Sequence, residues 1–506
     1  MKEIGSGMFF TSINLKQSSW CHLLLGTLLT VTSISSIGQV EQSERFEVPI
    51  SSDDNSKFSI ASAGQSGLII HNRQNRPKLD KLEIIRLDTS LNEIWRGEIE
   101  VAKDLEEMQS IVKDDILFIL FRSRYSKYAH FHIATSKLES TEFLVYSVKN
   151  IIPFRPTDFV VTDQAALIAG YYNYRPLVLY FNFASQQSKI LPGFFNEPGE
   201  LTQIKSYPNG TIEVIVSTDN YEKKKCLWIR KYSPSGELLT TTILQPEEKK
   251  NLIFGRSIKI DDEQVVVGVY GRFKEYSRGI FIAKIDPVGE YQIRYYDYGE
   301  LEHFFNYMKA KRIKRIKGRI ERKKIKGKKA KFNYRLIVHE VVKLNNEYVM
   351  LGEAFYPRYA YSYGLNQTAV LIGYQYTHAV VIGFDENGKL TWDNSFEIND
   401  VMTRNLEQYV KIQPYKDQIA LQYVFNNKIR SKIIKDSEII EGNNIHDIKL
   451  KFKDDNLKES SADNTKLDYW YKGHLYVYGI QQIKNFREIS VAATRKVFFV
   501  NKVSYK

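Results

Sequence analysis

Cysteine is almost missing from this chain: there are two, Cys21 and Cys226, among 506 residues. A disulfide framework or a cysteine-built metal centre needs more thiols than that, so stability must come from a packed core. Proline is sparse at 13 and glycine ordinary at 28, which excludes collagen-like and linker-like sequence. Long apolar runs are also missing. The longest, residues 23–37 (LLLGTLLTVTSISSI), falls short of the roughly 20 residues a membrane-spanning helix needs. Local catalytic signatures are missing too. No Gly-x-Ser-x-Gly elbow, phosphate-binding glycine loop or EF-hand loop occurs, and His339-Glu340 lacks the second histidine of a zincin. What is present is 43% hydrophobic and 13% aromatic residues, the composition of a globular chain with a large core.

Acidic excess is absent as well, but the surplus of base is local. The chain carries 72 Lys+Arg and 59 Asp+Glu, a formal net charge of +13. Fourteen of those bases and a single acid, Glu321, fall within residues 309–331; 58 bases and 58 acids remain elsewhere. The protein is therefore neutral with one intensely basic insert, not a generally basic nucleic-acid-coating chain.

Lys2 and Lys16 precede the apolar run, and the small residues Ser36 and Gly38 follow just before Gln39. This order is that of a secretory signal peptide over residues 1–38, cut after Gly38, with Met8 as an alternative start. Retention of the segment as an anchor is the alternative reading. Cys21 stands before the apolar run, which speaks against a lipoprotein cut. The mature chain 39–506 is then exported to the periplasm or cell surface, holds Cys226 alone, and has no transmembrane span.

The body repeats. Runs rich in Val, Ile, Tyr and Phe start at residues 67 (GLIIH), 116 (ILFILF), 166 (ALIAGY), 212 (IEVIVS), 265 (VVVGVY), 348 (YVMLGE), 419 (IALQYV) and 475 (LYVYGI). Short apolar runs bounded by turn residues read as buried strands. Polar turns recur behind them at Asp88, Ser233, Asp286 and Asp385, where a side-chain acceptor can bond its own backbone and Gly236, Gly289 and Gly388 can supply positive φ. Asp88 and Asp385 are each followed seven residues on by tryptophan, Trp95 and Trp392, placed to pack on the next repeat. Such units predict an all-β fold, a single β-propeller domain over residues 39–506 with eight blades, or seven as the alternative. The last repeat ends after its third strand, near residues 496–503, so the strand at 45–50 is expected to supply its fourth.

The stretch Asp385, Gly388, Trp392 resembles the repeat motif of the pyrroloquinoline-quinone-type propeller superfamily, with a shorter Asp-to-Gly spacing. That resemblance implies fold; it places no quinone pocket, and no cofactor is expected. The leader ending in Gly-Gln with Tyr- and Lys-rich repeats is similar to uncharacterised secreted propellers of Bacteroidetes, which implies an exported protein without a known activity.

Two insertions interrupt the repeat. Residues 301–331 place Phe304, Phe305, Met308, Ile313, Ile316 and Ile320 at spacings that predict one face of a basic amphipathic helix, frayed beyond Arg322 where Gly318 and Gly327 weaken it. Its bases Lys311, Arg312, Lys314, Arg315, Arg319, Arg322, Lys323 and Lys324 are candidate binding residues. The partner they imply is an envelope protein or an anionic membrane or polysaccharide surface, and nucleic acid is not expected outside the cytoplasm. A solvated helix packed on the rim is the structural alternative. The second insertion, residues 355–378, reads as a tyrosine-rich loop. It offers Tyr356, Tyr359, Tyr361 and Tyr363 as rigid aromatic contacts, or is an ordinary strand extension whose tyrosines pack on the rim. Both flank the strand at 348–353, which marks that blade as the contact surface.

Catalytic residues are not identifiable. His130 and His132 alternate as two ligands of a metal site would, but a third is absent, so no metal site is assigned. Glu353, ending a buried strand, is read as an acid or as a partner of Arg358. Asp454, Asp455 and Asp463 read as a polar loop. The overall expectation is a binding or scaffold module of the bacterial envelope. The alternative is a carbohydrate-active hydrolase or lyase with acids gathered at the central channel.

Overall fold

The computed structural model describes residues 40–51, 57–124, 130–150, 152–193, 198–247, 249–260, 263–344, 346–361, 369–458, 465–488 and 490–505. The leader 1–38, Tyr363 and Asp463 lie outside the described residues.

Every repeat folds as one antiparallel sheet, and eight sheets form the ring of a β-propeller. In chain order the blades span residues 57–101, 105–148, 155–190, 199–244, 251–297, 335–403, 411–447 and 456–505. The reason for stacking is visible in blade 5, whose second strand Glu263–Gly271 has apolar residues at successive positions. Val265, Val267 and Val269 enter a cluster shared with blade 6, while Val266 and Tyr270 enter one shared with blade 4. Successive side chains point to opposite faces of a sheet, so a run apolar at every position needs a partner on both sides. Each buried Val or Ile gains about 1.5–3 kcal/mol from that double coverage.

Short turns keep the strands in register. Asp114–Asp115, Asn173–Tyr174 and Asn426–Asn427 all hold positive φ at both turn positions, the geometry of tight hairpins. The expected side-chain turns are present. Asp88 Oδ1 accepts from the backbone N–H of Ser90 and Asn92, and Asp385 Oδ1 from those of Asn387 and Lys389. Both tryptophans reach out from these turns as expected. Trp95 Nε1 donates to the Leu138 carbonyl of blade 2 at 2.6 Å, and Trp392 is buried in the cluster between blades 6 and 7.

The chain ends close the ring. Strand Val40–Ile50 pairs with Thr494–Tyr505 as the outer strand of blade 8. Phe58 of blade 1 stacks on Phe498 of blade 8 with ring centroids 4.1 Å apart. Toward blade 7 the closing strand sends a guanidinium: Arg45 donates to Glu47, to Asn501 and Gln481 of blade 8, and to the Lys449 carbonyl behind blade 7.

Candidate functional site

The connection from blade 5 to blade 6 holds the basic insert. Its first part is a turn rather than the expected helix. Asp393 of blade 6 accepts the backbone N–H groups of Glu302 and His303 at 2.9 and 2.8 Å, and burial raises its pKa against those bonds. So pinned, residues 302–308 close reverse turns, His303 carbonyl to Asn306 N–H and Phe305 carbonyl to Met308 N–H. Phe304 and Phe305 are buried in the cluster between blades 5 and 6. The three- and four-residue spacing that predicts a helix from Phe304 is therefore met by turns.

Helix α1 spans Ala310–Ile325. Ile316 and Ile320 lie half-buried against the same cluster, as the expected stripe requires, while its Lys and Arg side chains are exposed. It continues past Arg322, contrary to the expected fraying. Gly327, at φ +61, ends it: the N–H of Gly327 bonds the Lys324 carbonyl and that of Lys328 bonds the Lys323 carbonyl. This is a Schellman stop, for which a glycine in the left-handed region is the usual residue. The glycine read as weakening the helix in fact caps it.

The second insertion is a strand extension, the alternative to a loop. Strands Glu347–Tyr361 and Ala369–Phe384 pair along their length, from Tyr348 with Phe384 to Tyr361 with Ala369. Bulges after Ala354 and Arg358 offset the register. They bend the hairpin, since an extra residue on one strand increases local twist. Tyr356, Tyr359 and Tyr361 are exposed on it.

α1 and the hairpin face each other across a cleft of about 660 Å³. Of the candidate residues it brings together Lys311, Arg312, Arg315 and Tyr356. Lys314, Arg319, Arg322, Lys323, Lys324, Tyr359 and Tyr361 are not among its lining residues. Glu397 and Asp400 stand in the lining with Tyr307 and Tyr376. Burial pushes the Tyr376 hydroxyl up to about 12 and raises that of Tyr307 further, helped by neighbouring Tyr334, so both stay neutral hydrogen-bonding groups. Among the described residues, none of the nine bases of α1 forms an ion pair with an acid; beyond the helix, Lys329 binds Glu300 at 2.7 Å. With Lys309 before the helix, the cleft can therefore offer four cations without an ion pair among the described residues, beside aromatic faces, a combination suited to an anionic group carried on an apolar or sugar-like body.

Tyr307, Glu397 and Asp400 carry no signal in the sequence that joins them to this site; only the Tyr density of residues 355–378 points toward Tyr376. Other sequence candidates have structural partners. Glu353 is fully buried, bonded to His339 Nε2 at 2.5 Å and to the backbone N–H groups of Tyr409 and Val410, and not to Arg358. It ties blade 6 to blade 7. Asp455 holds Arg495 at 2.6 Å, and Asp454 holds Arg487 at 3.0 Å. His132, beside His130, is shifted down by burial and by its neighbour. Among the described residues, no three His, Cys, Asp or Glu side chains gather as a metal-ligand set. In the cleft between blades 7 and 8, Glu407 and Asp468 are each bound by a lysine, Lys466 and Lys411, at 3.1 Å.

No protein-family model matches the chain, and no curated protein matches it in sequence. Solved structures do resemble it at low identity. A polysaccharide lyase, Uly1, aligns with 78% of this chain and 89% of its own at 10% identity and a TM-score of 0.39. The β-propeller domain of the Trilobed protease from Pyrococcus furiosus aligns over 78% and 95% at 7% identity and a TM-score of 0.35. The Dos1 propeller aligns over 79% and 92% at 10% identity and a TM-score of 0.39.

Proposed function

We propose that this chain is an exported β-propeller acting as a binding or scaffold module of a bacterial envelope, and that the cleft between α1 and the long hairpin receives an anionic partner. Export is supported by the charged start, the apolar run at 23–37 and the small residues behind it. Distant kinship with quinoprotein-type and Bacteroidetes-type secreted propellers belongs to the same proposal and rests on the Asp385 turn and the Tyr- and Lys-rich repeats.

The observation that carries the binding reading is the set of nine α1 bases without acidic partners among the described residues, three of them aimed into a cleft beside Tyr356. Solubility does not call for such density on a ring that is otherwise neutral. The ring anchors the helix by Ile316 and Ile320, which leaves the charged side free to meet a partner.

The test compares the full chain with a variant lacking residues 309–331 for binding to dextran sulfate and for capture of envelope proteins and membranes. Loss of both kinds of binding in the deletion is the expected result. Binding that survives the deletion unchanged overturns the reading.

A further inference from the structure

Strands alternate direction within an antiparallel blade. Connections from second to third strand, and from fourth strand to the next blade, therefore leave on one face of the ring. The insert and the outer end of the long hairpin at Tyr361 and Ala369 both belong to that face. So do the turns that carry the most exposed aromatic side chains of blades 3, 4, 5, 6 and 8: Tyr174, Tyr221, Phe273, Tyr361 and Phe486, from 63% to 104% exposed. The hairpin adds Val370, Leu371 and Ile372 in the open. Among the described residues, turns on the opposite face expose no aromatic side chain to that degree; Val288 is the large apolar group there.

Bases accompany these aromatics. Lys223 and Lys224 follow Tyr221, Arg272 and Lys274 flank Phe273, and Arg487 follows Phe486. A cleft of about 330 Å³ joins the blade 4 and blade 5 turns. Lys224 and Lys250 hold local acids there at 2.5 Å and Lys274 holds Asp219, as Arg487 holds Asp454 on blade 8, whereas Lys223, Lys249 and Arg272 hold none among the described residues.

We infer that this face is a docking surface for an anionic lipid bilayer, a reading that rests on the binding role proposed above and gives its partner. Two features favour a bilayer over a linear polyanion. Blades 4 and 8 stand opposite each other in an eight-bladed ring, so only an extended surface meets Tyr221 and Phe486 together. The contacts also pair protruding aromatic tips with cations, as interfacial anchoring requires: the ring enters the headgroup region and the cation meets anionic lipid. A polysaccharide chain would follow the clefts and leave the distant tips unused.

Flotation of the full chain with phosphatidylcholine vesicles, with and without phosphatidylglycerol, tests this. Dextran sulfate binding is measured in parallel on the same preparations. The variant is Tyr221→Ser, Phe273→Ser, Phe486→Ser, three exposed sites whose change leaves the core intact; a thermal unfolding scan verifies the fold. Binding to the phosphatidylglycerol vesicles alone, reduced at least about tenfold by the triple variant while dextran sulfate binding holds, is the expected result. Dextran sulfate binding without vesicle binding overturns the bilayer and leaves the anion-binding role standing. Binding to neither probe overturns both. Vesicle binding unchanged in the triple variant overturns the docking face.

Discussion

Tyr307 lies flat on His378, with ring centroids 3.7 Å apart and planes 5° from parallel. The contact joins the start of the basic insert to the base of the long hairpin, so the two walls of the cleft are held at their floor. Thr377 Oγ1 donates to the Ala354 carbonyl and lies 3.0 Å from His378 Nδ1. A hydroxyl has one proton to give, so Nδ1 carries the ring hydrogen and donates it to Thr377. Nε2 is left without a partner among Phe304, Tyr307 and Tyr334.

Burial pushes the His378 pKa down to about 3. In the unfolded chain it returns to about 6.5, so on acidification the unfolded chain takes the proton first. The contribution is fully present above that pH and is lost as the pH falls toward 3. From pH 7 to pH 5 this group should remove about 2 kcal/mol of stability. Urea unfolding at both pH values checks it: His378→Phe should flatten the pH dependence by that amount, and an unchanged slope contradicts the assignment.

The two glycines near α1 should respond in opposite directions. A Cβ at Gly318 meets nothing within 4 Å, so Gly318→Ala should strengthen the helix by up to about 1 kcal/mol. Gly327 holds φ +61 as the cap, so Gly327→Ala should weaken the last turn by about 1 kcal/mol. Hydrogen exchange of the α1 amides reads both changes: slower in the first variant, faster in the second.

Glu353 is the buried tie between blades 6 and 7. Removing the carboxylate in Glu353→Ala strips His339 and two backbone N–H groups of their acceptor. The expected loss is about 3 kcal/mol, since buried donors left unpaired bear their full desolvation cost. Equilibrium denaturation measures it, and a loss below about 1 kcal/mol would show that the blades hold together without it.

Arg45 plays the corresponding role at the ring closure. Arg45→Leu leaves Glu47, with a side chain 7% exposed, facing Arg495 at 3.6 Å and removes four hydrogen bonds around the closing strand. A loss of about 3 kcal/mol is expected. The chain ends meet here, so the unfolding rate should rise as well. Stopped-flow unfolding in urea reads that rate.

Much of the ring was legible in the sequence because its physics is local and repeated. Runs such as residues 265–270 need cover on both faces, Asp88 and Asp385 mark their own turns, and the unpaired strand at 45–50 finds the three-stranded last blade. The insert was legible in charge and only partly in shape. Phe304, Phe305 and Met308 have helical spacing, but the carboxylate that turns their backbone, Asp393, lies about ninety residues away in sequence. For the hairpin, loop and strand extension stayed open because Tyr-rich sequence suits an extended rim and a solvated loop equally. The cleft was legible only in its walls: the insert and Tyr-rich segment marked this blade, but Tyr307, Glu397 and Asp400 come from separate segments and join Tyr356 and Tyr376 only when blade 6 is formed. Single aromatics such as Tyr221 and Phe486 look like ordinary turn residues until the ring places them on one face.

The central claim is that α1 binds through the cleft rather than by bulk charge, and two triple variants with equal charge loss separate these cases. Lys311→Gln, Arg312→Gln, Arg315→Gln removes three of the cleft's four cations and leaves Lys309; Arg322→Gln, Lys323→Gln, Lys324→Gln removes as many from the far end of the helix. Affinity for dextran sulfate at fixed salt should fall at least about tenfold further in the first variant than in the second. Equal losses in the two would contradict the cleft and leave only a diffuse positive field.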